Sequence, residues 1–433
     1  MTEDRSYIKQ RFLFDDRNIS LVVFSLFSAW LLSFPFEGQV FYSLGNKNNI
    51  DIRNLLFLGI AAHFVGLFIC GFFISSIKAV KRVFLISTAL CIVGSVVFFF
   101  DYSMIWCISI VTISLLAGFV VASWGFYFKS LTPPDERMKT AADVLILSNI
   151  LMIIINIVAV NLSPNASLAM SMLALFGVLV SASKLSADIP DNQQTFTNPA
   201  RESNLRFPLF FLCIFIIIIT VNSGLMYHVF NPAFEHHQFL TSWYWAVPYI
   251  IALYIMRNLP AKSNRSYILN VAIAMIGLSF IFFMCLDRSA LSYIIVDTLM
   301  LGACGVFDLF WWSILGEMLD YSNNPAKIFG IGLSANVLGV LIGGIIGNAI
   351  YTVNPDTYNP TVIALMVVFV ILIVLPLLNG QLLKLLKRHA FLTEFSHMDA
   401  SEQNKAMDDF MKSHKLTERE KEIMALLLQG RTY

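Results

Sequence analysis

The chain is predicted to be all-α and to cross a membrane many times, and three observations carry that prediction. Of 433 residues, 57% are apolar and only 13% charged, with a mean hydropathy of +0.72, a balance outside the range of soluble domains. The apolar residues come in runs of about 20, the length a helix needs to span hydrocarbon, where every backbone N–H and C=O must be satisfied within its own segment. Between the runs, Lys and Arg collect on alternate connections.

Taken in order, the runs place twelve spans near 19–44, 52–77, 83–100, 103–128, 140–162, 167–185, 207–231, 239–257, 267–286, 290–315, 328–352 and 360–386. The first run is too long for a signal-peptide core. With the N-terminus inside, the inner segments hold Arg5, Lys9, Arg11 and Arg17; Lys78, Lys81 and Arg82; Lys129, Arg137 and Lys139; Lys184, Arg201 and Arg206; Arg257, Lys262 and Arg265; and Lys327. The outer loops hold only Lys47, Arg53 and Arg288. Seventeen basic residues against three place both termini in the cytoplasm. The six cysteines (Cys70, Cys91, Cys107, Cys213, Cys285 and Cys304) all fall within apolar runs and form no C-x-x-C, so they read as packing residues.

The longest internal connection, 186–206, carries Pro190, Pro199 and the polar run Asp191-Asn192-Gln193-Gln194. It divides the membrane part into two six-helix halves. The expected layout is a cytoplasmic N-terminus (1–18), an N-terminal half (19–185), a central cytoplasmic loop (186–206), a C-terminal half (207–386), a cytoplasmic linker (387–415) and a terminal segment (416–433). Echoes in register between the halves point to duplication. Pro35-Phe36-Glu37 answers Pro232-Ala233-Phe234-Glu235, Trp124 answers Trp311-Trp312, and Leu147-Ser148-Asn149 answers Leu333-Ser334-Ala335-Asn336.

This organisation resembles the major facilitator superfamily over roughly residues 18–387. That family's inner-loop signature after the second span, G-x-x-x-D-[RK]-x-G-[RK]-[RK], survives only as Gly71 and the basic trio Lys78, Lys81 and Arg82, with Ser75 where the acid would stand. The resemblance implies that the signature latches the inner gate, and here the acid is missing.

Polar groups inside a bilayer are costly and usually face the bundle interior or a wet cavity. Asp297 and Asp308 stand eleven residues apart on the tenth span, close to three turns, which puts them on one face about 16 Å apart along the axis. They either share a cavity or bond to neighbouring helices. His63, midway along the second span, is a candidate for proton or ligand sensing or else a neutral packing histidine. Glu37 follows Phe34-Pro35-Phe36 near the outer end of the first span, where a proline-disrupted helix exposes carbonyls to a ligand; the alternative is a carboxylate among headgroups. Asn149 and Asn156 on the fifth span, and Asn222 and His228 on the seventh, are weaker members of the same hypothetical ligand cavity.

Two stripes of small residues, Ala335-Gly339-Gly343-Gly347 on the eleventh span and Ala62-Gly66-Cys70 on the second, recur every four residues and mark close helix packing. In the resembled fold these two helices meet across the boundary between the halves. Glu235-His236-His237 lacks further metal ligands at a recognisable spacing. No phosphate-binding loop, H-E-x-x-H or nucleophile elbow is present, so neither enzyme chemistry nor a metal or other cofactor is expected.

After Lys384, Lys387 and Arg388 the sequence turns polar. Residues 391–415 form a linker with a reach of about 25 to 30 Å if flexible. Thr417-x-x-Glu420 then makes a capping box, followed by Ile423, Leu426 and Leu427 and a stop at Gly430. Leu416, Thr417, Arg419, Glu420, Glu422 and Gly430 resemble the first helix of a LuxR-type helix-turn-helix. That resemblance implies a four-helix DNA-binding domain whose third helix enters the major groove. The base-reading helix is not in the sequence, so 416–433 is expected to be the start of a truncated domain, with DNA a partner only once it is completed. Together these features predict a regulator in a bacterial inner membrane, in which a bundle senses an unknown small molecule and a tail, able to pair with a second copy, reports to DNA. The alternative is a plain secondary transporter with a vestigial tail.

Overall fold

The computed structural model describes residues 2–36, 38–186, 199–259 and 265–353, together with 366, 368–370 and 372–373. The expectations for Glu37, most of the twelfth span (360–386), the linker and the tail residues Leu416, Thr417, Arg419, Glu420, Glu422 and Gly430 lie outside the described residues. The helices are α1 (Thr2–Ser33), α2 (Gln39–Lys47), α3 (Arg53–Phe73), α4 (Ile77–Val96), α5 (Met104–Leu131), α6 (Arg137–Asn161), α7 (Pro164–Lys184), α8 (Pro199–Ala233), α9 (Gln238–Thr241), α10 (Ala246–Arg257), α11 (Arg265–Cys285), α12 (Ala290–Met318) and α13 (Pro325–Val353). Among the described residues nine helices are long and apolar enough to cross a membrane, or ten if the bent pair 235–241 and 246–257 counts as one span.

Two expected spans come out broken. The first, 19–44, is α1 and α2 with a turn at 34–36 between them. Pro35 explains the stop, because its ring disfavours a helical conformation in the residue before it and it has no N–H to continue the ladder. The chain then folds back tightly at Gly38, where a Cβ would lie 1.9 Å from the carbonyl carbon of Ser33; only glycine fits such an approach. The eighth expected span, 239–257, is α9 and α10 with a 43° bend.

Helices α1 to α7 pack into one bundle and α8 to α13 into another, and the bundles meet where α13 lies against α3 and α5 and where α6 lies against α10 and α12. Lipid tails are as apolar as leucine, so such packing depends on close van der Waals fit more than on expulsion of water. The fit is made by glycines. A Cβ on Gly343 would come 2.2 Å from the Val221 carbonyl oxygen, and one on Gly339 2.5 Å from that of Ile217, so the stripe on α13 is pressed against α8; Gly347 is buried on the same helix. In the other bundle a Cβ on Gly66 would come 2.2 Å from the Leu115 carbonyl oxygen on α5. The two stripes therefore pack inside their own bundles and not against each other. Helices α3 and α13 do meet across the halves, but through other glycines: Gly71 against Lys327 and Gly330 against Leu67.

Candidate functional site

Between the bundles lies a cavity of about 760 Å³. Its walls come from both halves, with Ser28, His63, Asn149 and Asn156 on one side and Tyr249, Asp308, Trp312 and Asn336 on the other. Its far rim is made by Gln39 and Asn46 of α2, Asn161 at the end of α6, Glu235 just before α9 and Gln238 at its start, at the end opposite the basic connections. The cavity thus reaches toward the end of the bundle that is poor in Lys and Arg.

The basic end is closed. Arg137, 1% exposed at the start of α6, grips Asp320 beyond the end of α12 with two hydrogen bonds (Nη1 to Oδ2, 2.9 Å; Nη2 to Oδ1, 2.7 Å) and also donates to the Gly316 carbonyl at 2.8 Å. Bidentate pairing of this kind combines charge with fixed geometry. Arg257 at the end of α10 pairs with Asp143 on α6 through Nε at 2.5 Å and Nη2 at 3.0 Å. Lys129 donates to the Ser322 carbonyl at 2.9 Å, and the Asn324 side-chain amide donates to the Gly71 carbonyl at 2.7 Å. Asn324 thus ties the two halves together beside the loop where the expected acid is replaced by Ser75. Above these ties sits an aromatic plug. Trp124 stacks on Phe24 (4.1 Å between centroids) and Phe128 (4.6 Å), and Trp312 and Phe329 reach it from the other half at 6.1 Å each. The Trp124 indole N–H is satisfied by the Ser20 hydroxyl at 3.0 Å, as a buried polar tip requires.

Of the residues singled out from the sequence, the cavity brings together His63, Asn149, Asn156 and Asp308. The Asp308 carboxylate accepts hydrogen bonds from the Tyr249 hydroxyl at 2.8 Å and the Trp311 indole N–H at 3.2 Å. His63 lies 3.1 Å by Nδ1 from the Ser114 carbonyl; a carbonyl can only accept, so Nδ1 carries the proton. That bond makes His63 a packing histidine as well as a lining one. Asn149 donates its amide to the Leu145 carbonyl on its own helix at 2.8 Å. Asn222 and Asp297, by contrast, are buried and do not line this cavity, so the shared face of Asp297 and Asp308 is not a shared chamber. Asn156, one turn pair beyond Asn149, does line it: it is 1% exposed and its amide nitrogen and oxygen both lack a partner.

Sequence reading missed Tyr249, Trp245 and the cross-half pairs. Arg137, Asp143, Arg257 and Asp320 sit at helix ends near charged connections, where a buried pair and a solvated charge look alike. The internal echoes were the available signal for the rest: Asn149 and Asn336, at matching positions, both line the cavity, and Trp124 meets Trp312. Among the described residues no group of three or more His, Cys, Asp or Glu side chains is placed to hold a metal ion.

No family model and no curated protein matches the sequence. Solved structures do match. The human organic anion transporter MFSD10 (TETRAN) superposes with a TM-score of 0.63 at 12% identity, over 85% of this chain and 99% of its own. The major facilitator superfamily proton:xylose symporter XylE, bound to 6-bromo-6-deoxy-D-glucose, superposes with a TM-score of 0.61 at 11% identity, over 84% of this chain and 95% of its own. At such identities the likeness is one of fold: this chain is a multi-pass helical membrane protein with the major facilitator architecture.

Proposed function

We propose that the chain is a secondary transporter of the major facilitator type, with twelve spans in two six-helix halves, that moves a small molecule by exposing the central cavity to each side of the membrane in turn. The observation that supports this reading is a cavity between two bundles that, among the described residues, are tied to each other across the basic end. With the basic end inside, by the distribution of Lys and Arg, both termini are cytoplasmic, the membrane is a bacterial inner membrane, and the conformation described is outward-facing. In the alternate state the ties from Arg137 to Asp320 and from Arg257 to Asp143 would break, the aromatic plug would part and the outer rim would close. A substrate drives that exchange only through unequal affinity for the two states. The reading is non-enzymatic.

The test is flux in proteoliposomes. The panel includes organic anions and monosaccharides, after the two structural neighbours, and organic cations. Accumulation of at least one compound, lost in Asp308→Ala and retained after deletion beyond Arg388, is the expected result. Absence of flux for the whole panel, with no change in distance across either end under any condition, would sink the proposal.

A second reading is carried by Leu416, Thr417, Arg419, Glu420, Glu422 and Gly430: a membrane-bound LuxR-type regulator in which the bundle senses a ligand and a completed tail binds DNA. Promoter binding by a version in which the tail carries a full LuxR-type helix-turn-helix, altered by ligand in the full chain but not in the isolated tail, favours it. The same version failing to bind any promoter region disposes of it.

A further inference from the structure

The charge lining the cavity is one-sided. Among its described lining residues Asp308 and Glu235 are carboxylates, and none is Lys or Arg, although the chain carries 29 basic residues. Asp308 lies well inside α12, where a carboxylate is tolerated only with partners. Its two oxygens are addressed by neutral donors, the Tyr249 hydroxyl and the Trp311 indole, and no cation among the lining residues balances it. Trp245, Trp311 and Trp312 supply aromatic walls to the same chamber. The second feature that points to a ligand is Asn156, buried, lining the cavity and unpartnered at both amide atoms. A buried amide normally finds hydrogen-bond partners, so this one is left for an occupant.

We propose that the cavity binds a monovalent organic cation with an apolar or aromatic body, of the ammonium, phosphonium or guanidinium class. The inference rests on the reading of this cavity as the substrate site. The positive centre lies near Asp308, where it supplies the missing counter-charge; tryptophan faces stabilise it further; and Asn156 takes a polar substituent where the cation has one. An anion would lose its water next to a carboxylate with no basic group in return, which separates this chain from an organic anion carrier. A neutral ligand would leave Asp308 uncompensated. A bare metal ion is disfavoured by the absence of clustered ligands among the described residues, and a chamber of about 760 Å³ is of drug-sized dimensions.

The test uses the purified full chain and two ions of the same shape and opposite charge, tetraphenylphosphonium and tetraphenylborate, each measured as radiolabel displaceable by its unlabelled form. Displaceable binding of the phosphonium, at least tenfold tighter than of the borate, and a loss of tenfold or more in Asp308→Asn but not in Asp308→Glu, is the expected result. Equal binding of the two ions, or preference for the borate, overturns the proposal, and this comparison needs no variant to fold. Phosphonium binding unchanged in a monodisperse Asp308→Asn protein also overturns it. Failure of the transporter reading looks different. Asp308-dependent phosphonium binding without flux in proteoliposomes leaves a cation-binding protein that does not transport, whereas flux of a sugar or an anion with no phosphonium binding keeps the transporter and removes the cation site.

Discussion

At position 343 there is no room for a side chain, because the Val221 backbone oxygen would lie 2.2 Å from a Cβ. A Gly343→Leu change must separate α13 from α8, and overpacking of this kind costs about 1–3 kcal/mol or more. The variant should lose thermal stability in a fluorescence-detected melting assay, while Gly277→Ala, whose nearest neighbouring atom is 3.9 Å away, should not. Asp287, in the turn before α12, shows a residue effect of a different kind. Its carboxylate accepts hydrogen bonds from Ser292 and from the Ser289 hydroxyl and amide, which hold it below the usual carboxylate range, the Ser292 bond counting most. A group whose native pKa is depressed stabilises the fold above its unfolded value near pH 4 and loses that contribution as pH falls through the lower native value. The melting temperatures of wild type and Asp287→Ala should therefore differ at pH 7 and converge as the pH is taken below about 4. Rarity marks polar residues in apolar runs, and four of those it marks, His63, Asn149, Asn156 and Asp308, line one cavity. Asn222 and Asp297 stand out equally and do not, because helical phase places a residue on a face without saying what covers that face.

Among the elements, α6 is tied to the opposite bundle at its basic end by Arg137 and Asp143 together, through Asp320 and Arg257. Removing one partner of a buried pair leaves a charge without compensation, a loss of about 3–5 kcal/mol where burial is full. The Arg137 side chain is 1% exposed and that of Asp320 21%, so the lower part of that range applies. In Arg137→Ala the basic end should open more often. Spin labels at the exposed positions Ser130 and Arg206 should then report a distance distribution broadened toward longer values, and an unchanged distribution would show that the pair does not hold the gate. Most elements were readable from length and hydropathy, as α3, α5 and α13 illustrate. The break between α1 and α2 leaves no mark in hydropathy, because Phe34-Pro35-Phe36 is as apolar as the helices it separates; Pro35 is its sign, as a disruption of the first span.

For the molecule as a whole, the basic connections predict an orientation with the basic end inside, and fusions can check it. A periplasm-dependent phosphatase fused at Asn165 should be active, and one fused at Lys184 inactive, with a cytoplasm-dependent fluorescent reporter giving the reverse. Opposite signals would turn the bundle over and make the described state inward-facing. Composition and the lengths of the apolar runs by themselves determined that this chain is helical and many-spanning, since a backbone in hydrocarbon has few ways to satisfy its hydrogen bonds. Which residues share a cavity, which glycines meet which helix, and that Arg137 and Asp320, 183 positions apart, close one end were decided only in the tertiary structure. Such contacts depend on how rigid helices cross, and helix crossing is set by side-chain fit between segments distant in the sequence.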